Sequence, residues 1–220
     1  MNVFIIGITG GVGSLLAAEL LNRGDTVIGL VRNHEQQNHL RDRGITTMLG
    51  DLTELSPTEL ADRTGDADTM VFTAGAGGGT QAATTAIDGE GVSTAIAAAE
   101  LLSARPRFGL ISVFPEAWRE RNLGPEFDHY IDVKKHAELA LTQSDLDWVI
   151  LRPSALRDDP GTGTVELGPA EIHETITRAD VARTMAELLH EARISRRILE
   201  VTAGATPIAR AVHQNIRHDR

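Results

Sequence analysis

Residues 2–32 read NVFIIGITGGVGSLLAAELLNRGDTVIGLVR, and this stretch decides the fold. Val3–Ile6 is an unbroken apolar run, as a strand buried on both faces requires. Gly7, Gly10 and Gly13 follow in a G-x-x-G-x-x-G spacing. Ser14–Asn22 reads as a helix, and Thr26–Val31 as a second strand that ends at Arg32. Strand, glycine turn, helix and strand in this order predict a β-α-β unit. The spacing departs from the commoner G-x-G-x-x-G, so the frame around the glycines carries the inference.

A turn from strand into helix needs positive-φ backbone, which glycine adopts freely. A diphosphate must come close to that backbone, where a Cβ would block it. The free N–H groups and positive end of the following helix suit an anion. Gly7, Thr9, Gly10, Gly11, Val12 and Gly13 are therefore the expected diphosphate contacts. At the end of the second strand this fold meets the adenosine ribose, where an acid suits the 2′-hydroxyl of NAD and a basic residue the 2′-phosphate of NADP. The chain offers Val31-Arg32-Asn33 there, with no acid before Glu35. NADP(H) is favoured over NAD(H).

Composition narrows the classes. With 220 residues, the chain can form one full α/β domain with a sizeable core. It has no cysteine, which removes disulfides, thiolate nucleophiles and cysteine metal sites. The eight histidines are dispersed and no H-E-x-x-H occurs, so no metal site is expected. A formal net charge of −10 argues against nucleic acid or an anionic membrane as the main partner. No apolar run is long enough to span a bilayer and no signal pattern opens the chain, so a cytoplasmic protein is expected.

Further along, strands and helices alternate. A polar helix is expected over about 34–43, a strand at Ile45–Leu49, and a capped helix start at Ser56-Pro57-Thr58-Glu59. A fourth strand, Thr69–Thr73, runs into a second glycine-rich loop, Ala74–Thr80. A single alanine-rich helix is expected over about 85–104, then a strand at Phe108–Val113, a helix at about 125–143 and a strand at Trp148–Leu151. Thr164–Leu167 reads as a short strand, about 178–192 as a helix and Ile198–Val201 as the last strand. The prediction is one domain over 1–220: a Rossmann-type, doubly wound parallel sheet with helices on both faces. Segments at about 114–127 and 155–178 are expected to form a small substrate side.

Tyr130 and Lys134 stand four apart on a predicted helix and so share a face. Ser112 ends the preceding strand. Beside a nicotinamide these three form a proton-transfer group. The tyrosine hydroxyl gives a proton to a carbonyl oxygen, the lysine lowers the tyrosine pKa and binds the ribose, and the serine holds the substrate oxygen. Tyr130 is the chain's one tyrosine.

The chain resembles the short-chain dehydrogenase/reductase superfamily, specifically its small atypical members: NAD(P)-binding, NmrA-like proteins related to biliverdin reductase B and flavin reductase. The matching features are the three glycines, Val31-Arg32, Gly50-Asp51-Leu52, the Ala74–Thr80 loop, Leu110-Ile111-Ser112, the Tyr130/Lys134 pair, Leu151-Arg152-Pro153 and residues 176–182. The resemblance implies an NADP(H) binder, often an oxidoreductase. It gives Asp51, Leu52, Ala74, Gly75, Ala76, Lys134, Pro153 and Ser154 as further cofactor contacts, and Ser112, Tyr130 and Lys134 as catalytic residues. Ser154 replaces a common glycine, and the gap from Ser112 to Tyr130 is longer than classical members show.

Phe114, Trp118, Phe127 and Leu156 are the expected substrate pocket. The reading is an NADPH-dependent reductase of a small carbonyl, quinone or flavin-like acceptor, acting as monomer or homodimer. Two alternatives stand beside it: a non-catalytic dinucleotide sensor, and an epimerase or isomerase that keeps its cofactor.

Overall fold

The computed structural model describes residues 1–116 and 121–216. The first half runs β1 (Asn2–Ile6), α1 (Gly11–Asn22), β2 (Thr26–Val31), α2 (His34–Arg41), β3 (Thr46–Leu49), α3 (Pro57–Thr64) and β4 (Thr69–Phe72). Then come α4 (Gln81–Thr84), a π-helical turn (Thr85–Glu90), α5 (Gly91–Leu101), β5 (Arg107–Ile111), α6 (Pro125–Gln143) and β6 (Trp148–Pro153). The chain closes with β7 (Ala155–Arg157), β8 (Thr164–Gly168), β9 (Thr175–Thr177), α7 (Arg178–His190), β10 (Arg197–Ala203), β11 (Thr206–Pro207) and α8 (Ile208–Gln214).

Nine strands form the main sheet in the order β11-β8-β10-β6-β5-β4-β1-β2-β3. From β3 to β10 every pairing is parallel. The order 3-2-1-4-5-6 within it is that of the doubly wound dinucleotide fold. The chain reverses direction of progress between β1 and β4, and a crevice opens there at the strands' carboxyl ends. β1 enters this arrangement because it has no polar face to expose: Val3, Phe4, Ile5 and Ile6 are all at most 1% exposed.

One apolar cluster fills each face. Leu16 and Leu20 of α1 meet Val181 and Met185 of α7 on one side. Leu60 of α3, Val92 and Ala95 of α5 and Leu141 of α6 cover Phe4, Phe72 and Phe108 on the other. Each of the larger of these side chains, fully buried, contributes about 1.5–3 kcal/mol. The helix start at Ser56 forms as expected: its side chain accepts from Glu59 N while the Glu59 carboxylate accepts from Ser56 N at 2.9 Å.

Three features differ from the sequence expectation. The sheet is not wholly parallel, because β8 pairs antiparallel with β10 and β11 antiparallel with β8. Strands β7 and β9 form a separate two-stranded parallel sheet in the weakly patterned region. The alanine-rich helix is broken in register by the π-turn at Thr85–Glu90, and it ends at Leu101. Among the described residues no helix is long and apolar enough to cross a membrane.

Candidate active site

A cleft of ≈ 930 Å³ lies at the carboxyl ends of β1, β2, β4 and β5. That is the upper end of the usual range for ligand pockets, roughly 300–1,000 Å³. Its walls come from the first glycine turn, the loop after β4, the end of β5 and one face of α6.

The glycine turn is held tightly. Gly7 has φ 89°, and a Cβ there would lie 2.4 Å from Ala74 N. Gly13 sits inside α1 rather than before it, since the helix begins at Gly11. A Cβ on Gly13 would lie 2.2 Å from Gly7 O and 2.6 Å from Thr73 Oγ1. Gly13 is thus a packing residue, and it does not line the cleft. Thr73 donates its hydroxyl to Ile6 O or Gly7 O, each at 3.1 Å, which locks the turn to β4. Gly7, Thr9, Gly10, Gly11 and Val12 all face the cleft. No side chain caps α1 and its first turn carries no acid, so its positive end is available to an anion.

At the end of β2, Arg32 is exposed on the rim and its N–H donates to Gln36 Oε1 at 2.9 Å. Asp51 lies across from it. Its carboxylate accepts from Thr53 N at 3.0 Å and Thr53 Oγ1 at 2.8 Å. These bonds, and to a smaller extent the Arg32 charge, hold Asp51 below the usual carboxylate range. Asp51 therefore starts a turn and also lines the cleft, together with Leu52. Ala74, Gly75 and Ala76 form the facing wall.

At the far end stand Ser112, Tyr130 and Lys134. The Ser112 Oγ is buried and has no hydrogen-bond partner among the described residues. Such an orphaned hydroxyl costs about 1–3 kcal/mol unless a ligand meets it. Lys134 is 3% exposed; its Nζ donates to Ile111 O at 3.1 Å and meets Asp88 Oδ1 at 3.4 Å. Burial pushes the Lys134 pKa down, against the opposing pull of Asp88.

The net shift on Tyr130 runs upward, opposite to the direction expected from the lysine. Tyr130 is pushed up to about 12, first by burial and then by the negative charge of Asp88. The lysine's charge is matched by the Asp88 carboxylate, 3.4 Å away.

Asp88 was not legible beforehand. It is 1% exposed, on the π-turn, and its Oδ2 accepts from Ala76 N at 2.9 Å. One carboxylate thus joins the loop after β4 to the buried lysine. The available signal was register: Thr84, Asp88, Val92, Ala95 and Ala99 are all buried, so an acid stands on the apolar stripe of a helix. Arg178, from the first turn of α7, also reaches the cleft.

Several expected contacts lie elsewhere. Phe114 is 5% exposed and packs edge-on against His173, with ring centroids 5.0 Å apart, away from the cleft. Pro153 completes β6 and pairs with Val201 of β10. Ser154 is 2% exposed: its N donates to Val201 O at 2.9 Å and its Oγ accepts from Glu174 N at 3.2 Å. The strand continues past Leu151 to Pro153, and Ser154 is taken up by these two bonds. Trp118 lies outside the described residues. Phe127 and Leu156 do line the cleft, joined by Leu123 and Glu126. Among the described residues no group of three or more His, Asp or Glu is placed to hold a metal ion.

A backbone cradle that excludes a Cβ, an uncapped helix start, a rim arginine and an orphaned hydroxyl at the far end fit a bound dinucleotide. The chain belongs to the NAD(P)H-binding family, whose model matches residues 7–192. Its fold is consistent with that of an atypical short-chain dehydrogenase/reductase.

A Bacillus subtilis protein called an uncharacterized sugar epimerase, YhfK, is 35% identical over 96% of this chain and 99% of its own. A Bacillus halodurans structure, proposed to be an NAD-dependent epimerase/dehydratase, is 34% identical with TM-score 0.87, covering 97% of this chain and 99% of that one. The Lactococcus lactis oxidoreductase ylbE is 27% identical with TM-score 0.84, covering 100% of both chains.

Proposed function

We propose that this protein is an NADPH-dependent oxidoreductase that reduces a small carbonyl, quinone or flavin-like acceptor, with Tyr130 as proton donor. The observation that carries the reading is the grouping at the far end of the cleft: a protonated tyrosine, a buried lysine and an unbonded serine hydroxyl. A nicotinamide bound there supplies the hydride.

The residues divide the remaining work. The Tyr130 Oη keeps its proton at neutral pH, because its pKa stands at about 12. It therefore starts in the protonated form that a proton donor needs. The Ser112 Oγ–H donates to the same substrate oxygen and fixes its position. An ammonium has three N–H donors. Ile111 O and Asp88 take two of those on Lys134, which leaves one for a ribose hydroxyl. Leu123, Phe127 and Leu156 keep water from the reacting oxygen. Arg32 meets the 2′-phosphate, and this sets the preference for NADPH.

The name of the Bacillus subtilis relative favours a second reading, a sugar epimerase. An epimerase turns over without net consumption of nucleotide, whereas a reductase consumes one NADPH per product.

The test is Tyr130→Phe, assayed with NADPH against a quinone, FMN and an aldehyde. The variant should keep NADPH affinity within a few-fold and lose about 10²-fold or more in turnover. Turnover equal to wild type would remove Tyr130 from the chemistry. Tight NADPH binding by the wild type with no acceptor reduced would favour the sensor.

A further inference from the structure

We infer that Arg178 is a second arginine anchor in the cleft, one that holds the diphosphate common to NADPH and NADH. This rests on the dinucleotide reading of the cleft given above.

Arg178 opens α7, and its backbone is fixed by the helix cap there. Thr177 Oγ1 accepts from Asp180 N at 3.0 Å. The side chain then crosses to the start of α1. A Cβ built on Gly11 would lie 2.7 Å from Arg178 Cδ and 3.0 Å from its Nε. Gly11 is the first residue of α1, whose N-terminus no side chain caps. A guanidinium and the positive end of a helix therefore stand together on the cleft wall.

Two like-signed features placed side by side call for an anion. The one in place is Asp158, whose Oδ1 accepts from Arg178 Nη1 at 2.7 Å. Its side chain is 88% exposed. An ion pair this open contributes little and is readily exchanged. A diphosphate carries more charge than a carboxylate and accepts from a guanidinium in the same forked geometry.

A merely structural role for the ion pair is already filled. The turn that follows Asp158 is tied to α7 by Asp180, which accepts from Thr162 N at 2.9 Å and Gly163 N at 2.8 Å. Of the other cations lining the cleft, Lys134 is matched by Asp88 and Arg32 stands at the end of β2. That leaves Arg178 for the diphosphate.

Calorimetric titration of wild type, Arg178→Ala, Arg178→Lys and Asp158→Asn with NADPH and with NADH tests the assignment. Arg178→Ala should weaken both nucleotides by the same factor, about 10-fold or more, and leave their ratio unchanged. Arg178→Lys should recover part of the loss. Asp158→Asn breaks the ion pair but keeps the guanidinium, so both nucleotides should bind at least as tightly as to wild type. Unchanged affinity in Arg178→Ala overturns the inference, and so does a loss confined to NADPH. A loss in Asp158→Asn equal to that in Arg178→Ala would assign the effect to the ion pair and overturn it too. A wild-type protein that binds neither nucleotide would instead sink the dinucleotide reading beneath it.

Discussion

The two ends of the cleft are built on different principles. The nucleotide end is made of backbone: a turn that excludes side chains at Gly7, a helix start without a cap, and a loop of small residues. The end proposed for the reaction is made of side chains drawn from separate elements: Ser112 after β5, Tyr130 and Lys134 on α6, and Asp88 on the π-turn. Backbone sites depend on conformation, and conformation is written locally as glycine. Side-chain sites depend on which residues are buried together, and that is settled only when the elements pack.

The largest expected effect tests whether the reaction end depends on its buried ion pair. Removing one partner of such a pair leaves an unmatched buried charge, at about 3–5 kcal/mol. Asp88→Ala should lower unfolding stability by that order, read from denaturant midpoints. It also frees Ala76 N, so the loop after β4 loosens at the same time. A loss under about 1 kcal/mol would mean that Lys134 reaches water or another acid, and the contrast between the two ends would fade.

A second test uses the chain's one tyrosine as its own indicator. Tyrosinate absorbance near 295 nm reports Tyr130 alone. In the native protein its midpoint should fall at about 12, against an ordinary value of 10.0. Asp88→Asn should bring the midpoint down but keep it above 10, because burial is the first cause and the acid the second. The same shift has a consequence for stability. The native state holds a proton that the unfolded chain releases near pH 10, so this contribution is complete below pH 10 and is lost as pH rises towards 12. A native midpoint at 10 would show a phenol in contact with water.

The smallest effect sharpens the picture at the nucleotide end. Arg32 is exposed, so Arg32→Ala should cost NADPH about tenfold in affinity, or about 1.4 kcal/mol, and leave NADH within about twofold. Equal weakening of both would deny Arg32 any contact with a 2′-phosphate.

The same contrast decides what could be read from the chain. The β-α-β frame was legible because Val3–Ile6 can only be buried and the glycines can only mark a turn. Thr26–Val31 and Pro125–Gln143 have the bounds the sequence predicts. The direction of the Tyr130 shift was not legible. A spacing of four places two residues on one face, but does not tell how deeply they sink or what acid meets them. Phe114 misled because an aromatic residue after a strand was assigned to the pocket, whereas it turns to His173. Ser154 misled because its N–H and hydroxyl are engaged by Val201 and Glu174, just past the end of β6. Strands β7, β9 and β11 are two or three residues long, too short for alternation to show.

The π-turn at Thr85–Glu90 gives the chain a meter. It takes up one residue more per turn than an α-helix, so it fixes the angle at which α4 and α5 follow one another. Deleting a single residue between 85 and 90 would let the segment relax to regular helix and change the place of Asp88 along and around it. Asp88 could then no longer bond Ala76 and Lys134 while Val92 and Ala95 stay in the core. In this stretch the count of residues, as much as their identity, keeps the loop, the acid and the lysine in one place.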